Sequence, residues 1–213
     1  MHRLGLFGGA FDPIHYGHLR LAETAEAECG LEKILFLPSA FPPHKEPTLL
    51  TPFRHRLSML NLALAGKECF SCSPVEEFLS PPSYSIDTVE FLRKSLTPDN
   101  EFFFLIGIDA FLEICTWKRY EELLECVSFV VSEREGDLAE RKRNLAQTLE
   151  YRQEGHLWKS CSDRKDIIFL RRPPLVLSSS NIREKIKNGE SIVGLVPPRV
   201  QEYIMLNSLY CQG

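Results

Sequence analysis

The 213-residue sequence predicts an α/β fold: a Rossmann-like parallel sheet with helices on both faces, closed by C-terminal helices. Three observations predict it. Short apolar stretches alternate with helix-spaced ones along most of the chain, the pattern of βαβ units. The first apolar stretch runs directly into Gly8-Gly9, a strand followed by a tight loop. The Phe102-Phe103-Phe104-Leu105-Ile106 run reads as a buried strand.

The elements follow in order. Residues 3–7 form the first strand. Residues 18–29 form a helix, with Ala22, Ala25 and Cys29 at helical spacing and Gly30 as its stop. Residues 33–37 are the second strand, and residues 40–52 a Pro-rich loop. A helix over 53–65 ends at Gly66 and precedes a weaker strand at 70–73. The loop at 79–84 contains Pro81-Pro82 and leads into a helix over 85–95. After the strand at 101–106, residues 109–125 are helical with a break near Thr116, and 127–132 are a strand.

Residues 133–165 differ in composition. They are charged, lack a strong apolar run, and predict a surface helix plus a connection. A short strand at 167–170 and closing helices at 179–188 and 199–206, separated by Pro197-Pro198, complete the chain. Residues 1–213 thus read as one domain with a variable surface segment at about 133–165.

Composition narrows the function. Hydrophobic residues make up 44% and charged residues 25%, with a net charge of −4, so no global field favours nucleic acid or an anionic membrane. A phosphate ligand must therefore be held by local groups. No apolar run is long enough to span a membrane, and residues 1–9 lack the pattern of a signal peptide. The seven cysteines are scattered and odd in number, which predicts reduced thiols and a cytoplasmic location. Cys69 and Cys72 form a lone C-x-x-C without a second ligand pair, so no structural metal is expected.

Four motifs carry the chemistry. Strand one enters Gly8-Gly9-Ala10-Phe11-Asp12-Pro13-Ile14-His15-Tyr16-Gly17-His18. Paired glycines let backbone amides approach a ligand closely. His15 and His18 stand three apart where a helix should begin, and a helix N-terminus is an anion site. The second motif, Leu177-Ser178-Ser179-Ser180-Asn181-Ile182-Arg183, leads serines into a helix with an Arg close behind. That cation opposes the helix dipole unless an anion joins it. The third, Phe104 to Asp109, sets Gly107 and an acid just past a buried strand, at the ligand edge of such a sheet. The fourth group is Pro42-Pro43-His44-Lys45, Pro82-Ser83-Tyr84-Ser85 and Thr116-Trp117.

These residues resemble the H-x-G-H nucleotidyltransferases, and G-G-x-F-D-P-x-H-x-G-H is similar to the bacterial nicotinate mononucleotide adenylyltransferases. Leu177 to Arg183 resembles that family's I-S-S-T-x-I-R, with Leu177 and Ser180 as mild departures. Residues 106–109 resemble I-G-x-D, with a bulky Ile108. The resemblance implies adenylyl transfer from ATP, with Mg²⁺ carried on the phosphates, to nicotinate mononucleotide. It implies His15, His18, Arg183 and Lys45 as catalytic residues. It places ATP on Gly8, Gly9, Phe11, His15, His18, Gly107, Asp109, Ser179, Ser180, Ile182 and Arg183. It places the mononucleotide on Ala10, Lys45, Tyr84, Ser85 and Trp117. Both partners are small molecules, and homo-oligomerisation stays open. The alternatives are another transferase of the same superfamily, such as a phosphopantetheine adenylyltransferase, and a non-catalytic nucleotide sensor on the same fold.

Overall fold

The computed structural model describes residues 2–43, 50–133, 138–172, 175 and 177–211. The order is β1 (His2–Gly9), α1 (Tyr16–Cys29), β2 (Lys33–Pro38), α2 (Phe53–Leu64), β3 (Phe70–Cys72), α3 (Ser85–Ser95), β4 (Asn100–Gly107), α4 (Ile108–Leu112), α5 (Tyr120–Cys126), β5 (Ser128–Ser132), α6 (Ala139–Thr148), β6 (Tyr151–Glu154), β7 (Leu157–Ser160), β8 (Ile167–Phe169), α7 (Ser179–Lys187) and α8 (Pro198–Leu206). The strands form one sheet in the order β3-β2-β1-β4-β5-β8-β7-β6. The six strands from β3 to β8 are mutually parallel; β7 and β6 extend the sheet antiparallel.

The apolar run in β4 has a simple cause. Phe102, Phe104 and Ile106 enter the core on one face, with Leu6, Phe111, Phe129 and Trp158. Phe103 and Leu105 enter the core on the other, with Phe7, Phe36, Leu60 and Val200. Successive strand side chains point to opposite faces, so a strand covered on both sides must be apolar at every position. α3, α4, α5 and α6 contribute to the first core. α1, α2, α7 and α8 contribute to the second.

β1 is the pivot. It pairs in parallel with β2 on one side and β4 on the other. The chain first winds outward through β2 and β3, then returns to start β4 at the opposite edge of β1. That reversal opens a crevice at the carboxyl ends of β1 and β4, where Gly8-Gly9 and Gly107 stand.

One expectation changes and one holds. The segment over 133–165 contains α6, but also the β6–β7 hairpin, and β7 pairs with β8. Each hairpin strand has four residues and buries one fully, Tyr151 and Trp158 respectively. That is too little apolar periodicity to be visible as sequence. The stretch over 109–125 divides into α4, a 3₁₀ turn at Ile114–Thr116 and α5, which starts after Arg119 at φ 50°. The break near Thr116 thus falls where the sequence puts it.

Trp158 is fully buried and packs on Phe169 at 4.9 Å and Phe111 at 5.9 Å between ring centroids. Trp158→Ala should cost about 3–5 kcal/mol of unfolding free energy in urea. The folded variant should keep its turnover, because the hairpin lies at the far edge of the sheet. A loss below about 1 kcal/mol would show that this edge does not belong to the cooperative core.

Candidate active site at the carboxyl ends of β1 and β4

The site starts where β1 gives way to α1. Phe11 sits at φ 48°, fully buried, with its ring edge-on to Phe7 and 5.0 Å from the His18 ring. A Cβ at Gly9 would lie 3.1 Å from the Phe11 ring, so this turn needs glycine beneath it. His15 caps α1. The His18 amide donates to His15 Nδ1 at 3.4 Å, and the His15 amide donates to His18 Nδ1 at 3.3 Å. This is a capping box built from two imidazoles. Their rings stack, with centroids 3.7 Å apart and planes 21° apart. Gly17 makes room for it, since a Cβ there would stand 2.9 Å from His15 Nδ1.

The caps settle the tautomers. An Nδ1 that accepts a hydrogen bond carries no proton, so in a neutral ring the proton sits on Nε2. Burial pushes His15 down to about 4. Burial, and then the charge of His15, hold His18 well below its usual range. Both rings are therefore neutral Nε2–H donors at neutral pH. They can bind anionic oxygens without a standing charge to desolvate.

The loop between β1 and α1 is fastened from outside. Buried Arg56 donates from Nη1 to the Ala10 carbonyl and from Nε to the Thr51 carbonyl, both at 2.9 Å. The buried Asp12 carboxylate accepts from the Tyr210 hydroxyl at 2.6 Å and from the Thr51 amide at 3.1 Å. Arg183 Nη1 donates to the Asp12 carbonyl at 2.7 Å, and Nη2 to Ser180 Oγ at 3.3 Å. Ser179 Oγ donates to the Pro13 carbonyl at 2.9 Å, which brings the start of α7 against the start of α1. Ser178 caps α7 by accepting from the Asn181 amide.

Two cavities meet over the strand ends. The larger, about 770 Å³, lies between the N-termini of α1 and α7, with His15, His18, Asp109, Ser180 and Arg183 in its wall. The smaller, about 290 Å³, lies between β4 and α3, with Tyr84, Ser85, Thr88, Trp117 and Lys118 in its wall. Phe7, Gly8 and Gly107 line both. The smaller cavity is bounded by aromatic surface. Trp117 is half-buried and edge-on to Phe104 at 6.1 Å. Tyr84 immediately precedes α3, and its carbonyl accepts from the Asp87 and Thr88 amides. The amides of Ser85 and Ile86 have no acceptor within that helix.

Most residues singled out in the sequence gather here. Gly8, Ala10, His15, His18, Gly107, Asp109, Ser179, Ser180 and Arg183 line the larger cavity. Gly8, Gly9, Gly107, Tyr84, Ser85 and Trp117 line the smaller. Gly9, expected beside ATP, faces the smaller cavity, and Ala10, expected beside the mononucleotide, faces the larger; the chain crosses the boundary between them. The Phe11 and Ile182 side chains point into the core instead, each about 1% exposed. They support their neighbours from behind. Lys45 and His44 lie outside the described residues. Sequence reading missed Glu76, Thr88 and Lys118 in the smaller cavity, and Arg56 and Tyr210 behind the loop. Glu76, Arg56 and Tyr210 come from elements distant in sequence, whereas Thr88 and Lys118 lie close behind Ser85 and Trp117 but outside the motifs. Among the described residues no group of three His, Cys, Asp or Glu could hold a metal ion.

Fold and cavities together describe a nucleotidyltransferase. The cytidylyltransferase-like family model matches residues 6–185. A probable nicotinate-nucleotide adenylyltransferase of Desulfotalea psychrophila is 38% identical over 99% of this chain and all of its own. Another from Carboxydothermus hydrogenoformans is 38% identical over 98% of both chains. The nicotinic acid mononucleotide adenylyltransferase of Plasmodium falciparum, solved with NaAD, shares the fold at a TM-score of 0.76 and 20% identity, over 99% of this chain and 98% of its own. The chain belongs to the nicotinate-nucleotide adenylyltransferases within the cytidylyltransferase-like family.

The His15 cap has a consequence for stability. An unfolded imidazole titrates near 6.5, whereas folded His15 titrates at about 4. Between these values the unfolded chain binds a proton that the folded one does not. Stability therefore rises with pH across that window and is unaffected by this group above it. The full effect is roughly 3 kcal/mol at most. In urea titrations from pH 4 to 7, His15→Gln should flatten this slope. An equal slope in wild type and variant would refute a neutral, buried cap.

Proposed function

We infer that the protein transfers the adenylyl group of ATP to nicotinate mononucleotide, releasing pyrophosphate and giving the dinucleotide used in NAD biosynthesis. The observation that carries this reading is the pair of cavities meeting at Gly8 and Gly107. One is ringed by phosphate-binding groups and the other by aromatic surface, so two nucleotides would meet phosphate to phosphate between them. The P. falciparum enzyme solved with NaAD, and again with APC, supports small nucleotide ligands for this fold.

The attacking group belongs to the substrate. An oxygen of the mononucleotide phosphate bonds to the α-phosphorus in line. The bond from that phosphorus to the bridging oxygen breaks, and pyrophosphate leaves with the electron pair. The protein need only position both reactants and spread the charge. The Nε2–H groups of His15 and His18, the amides at the start of α1 and α7, and Arg183 suit the triphosphate. Ser179 and Ser180 stand at the same helix start. Asp109 and Gly107, also in the wall of that cavity, are assigned to the ribose and base from the motif. Magnesium brought in with ATP would offset the phosphate charge, carried by the nucleotide and not by a cluster of protein ligands. Lys45 is assigned to the phosphates from the motif. The pyridine ring stacks on Trp117, and its carboxylate takes the amides of Ser85 and Ile86 at the start of α3.

The chain acts as a single nucleotidyltransferase domain in which β7 and β6 extend the edge of the sheet. No helix among the described residues is long and apolar enough to cross a membrane. The described cysteines are all free thiols, which suits a cytoplasmic site of action.

Pyrophosphate release should be faster in kcat/KM with nicotinate mononucleotide than with its amide. Release only with pantetheine phosphate, or none with any acceptor, would overturn the assignment. His18→Ala should fold and lower kcat about 10²–10³-fold; near-normal kcat in that variant would remove His18 from the reaction.

Trp117→Ala should raise the acceptor KM by about one to two orders of magnitude, with the ATP KM little changed. If Trp117 served packing alone, the melting temperature would fall and both substrates would suffer together.

A further inference from the structure

The cavity assigned above to the pyridine ring has a charge arrangement that no motif announces. Lys118 follows Trp117 and forms part of the cavity wall. Its Nζ lies 4.5 Å from the centre of the Tyr84 ring. The same Nζ donates to both oxygens of Asp87, at 2.9 and 3.2 Å. Asp87 stands in the first turn of α3 but does not line the cavity. Lys118 thus stands at the cavity wall with its ammonium against the Tyr84 ring, while the carboxylate it pairs with belongs to a residue outside that wall.

This placement matters because of what α3 does there. Ser85, the first residue of α3, lines the cavity, so the positive end of the helix dipole favours an anion there. Asp87, one turn in, opposes that field, and alone it would repel a carboxylate bound at the helix start. Lys118 cancels it and leaves the positive end of the helix to set the local field. The other acid in the wall is Glu76. Burial pushes its carboxyl up, toward the neutral form, while Thr88 Oγ1 donates to its Oε1 at 3.2 Å. A neutral carboxamide gains nothing from such a field, whereas a carboxylate does.

We propose that Lys118 is a specificity-determining residue that, by neutralising Asp87 beside the N-terminus of α3, makes the pyridine cavity select an acid over its amide. This rests on the reading that the smaller cavity takes the pyridine nucleotide. The pair is half-exposed, with side-chain exposures of 41% and 33%, so its influence should be modest and screened by salt.

The test compares kcat/KM for nicotinate mononucleotide and nicotinamide mononucleotide in wild type, Lys118→Met, Asp87→Asn and the double variant. Lys118→Met should lower the acid-to-amide ratio about two- to fivefold, through the KM of the acid, with the ATP KM unchanged. Asp87→Asn should raise the ratio or leave it, and should recover most of the loss in the double variant. Lys118→Arg should keep the wild-type ratio. Raising salt from 0.05 to about 0.5 M should reduce the ratio in wild type more than in Lys118→Met. Equal losses for both acceptors, or an unchanged ratio, would overturn the proposal and leave Lys118 as packing on Tyr84. A wild-type enzyme inactive with both acceptors would instead overturn the functional reading beneath it.

Discussion

Because β1 pairs in parallel with both β2 and β4, the chain leaves its carboxyl end in one lateral direction and returns in the other. No crossover helix can cover the gap this leaves. Everything functional is arranged around that gap. The floor must be close to the ligand, so the strand ends carry Gly8 and Gly107, which line both cavities. The walls are the starts of α1, α3, α4 and α7, which each expose donors that their own helix cannot use.

A protein of net charge −4 can hold a polyphosphate only by concentrating local positive potential. Here little of that potential is formal charge. The α1 and α7 starts converge, tied together by the bond from Ser179 to the Pro13 carbonyl. The two histidines act as neutral donors, their Nδ1 atoms committed to the reciprocal cap. Such donors are fixed before the ligand arrives, which keeps reorganisation small when charge moves during transfer. Arg183 supplies the formal charge nearby and also grips the Asp12 carbonyl, so it belongs to the loop as much as to the ligand.

The loop itself is over-determined. Arg56, Thr51, Tyr210, Ser179 and Arg183 reach it from three separate parts of the chain. A backbone turn at φ 48° on Phe11 persists because these contacts leave it no cheaper arrangement. The last described residues of the chain thereby brace the first turn after β1, and the beginning and end of the sequence share one site.

The sequence by itself determined what is local. The glycine pair after a strand, the His15–His18 spacing, the serines before Arg183 and the apolar run in β4 each lie within a few residues, and each dictates its conformation by short-range sterics and burial. Tyr84, Ser85 and Trp117 were legible as motifs for the same reason. Only the tertiary structure decided which cavity each residue faces, that Phe11 and Ile182 turn inward, and that the charged stretch after β5 adds a hairpin to the sheet. It alone brought Arg56, Glu76 and Tyr210 to the site and paired Lys118 with Asp87. Side chains that meet across 40 to 200 residues leave no periodicity or spacing in a single chain; their placement is set by sheet order and by the packing of two cores, which exist only once the whole chain has folded.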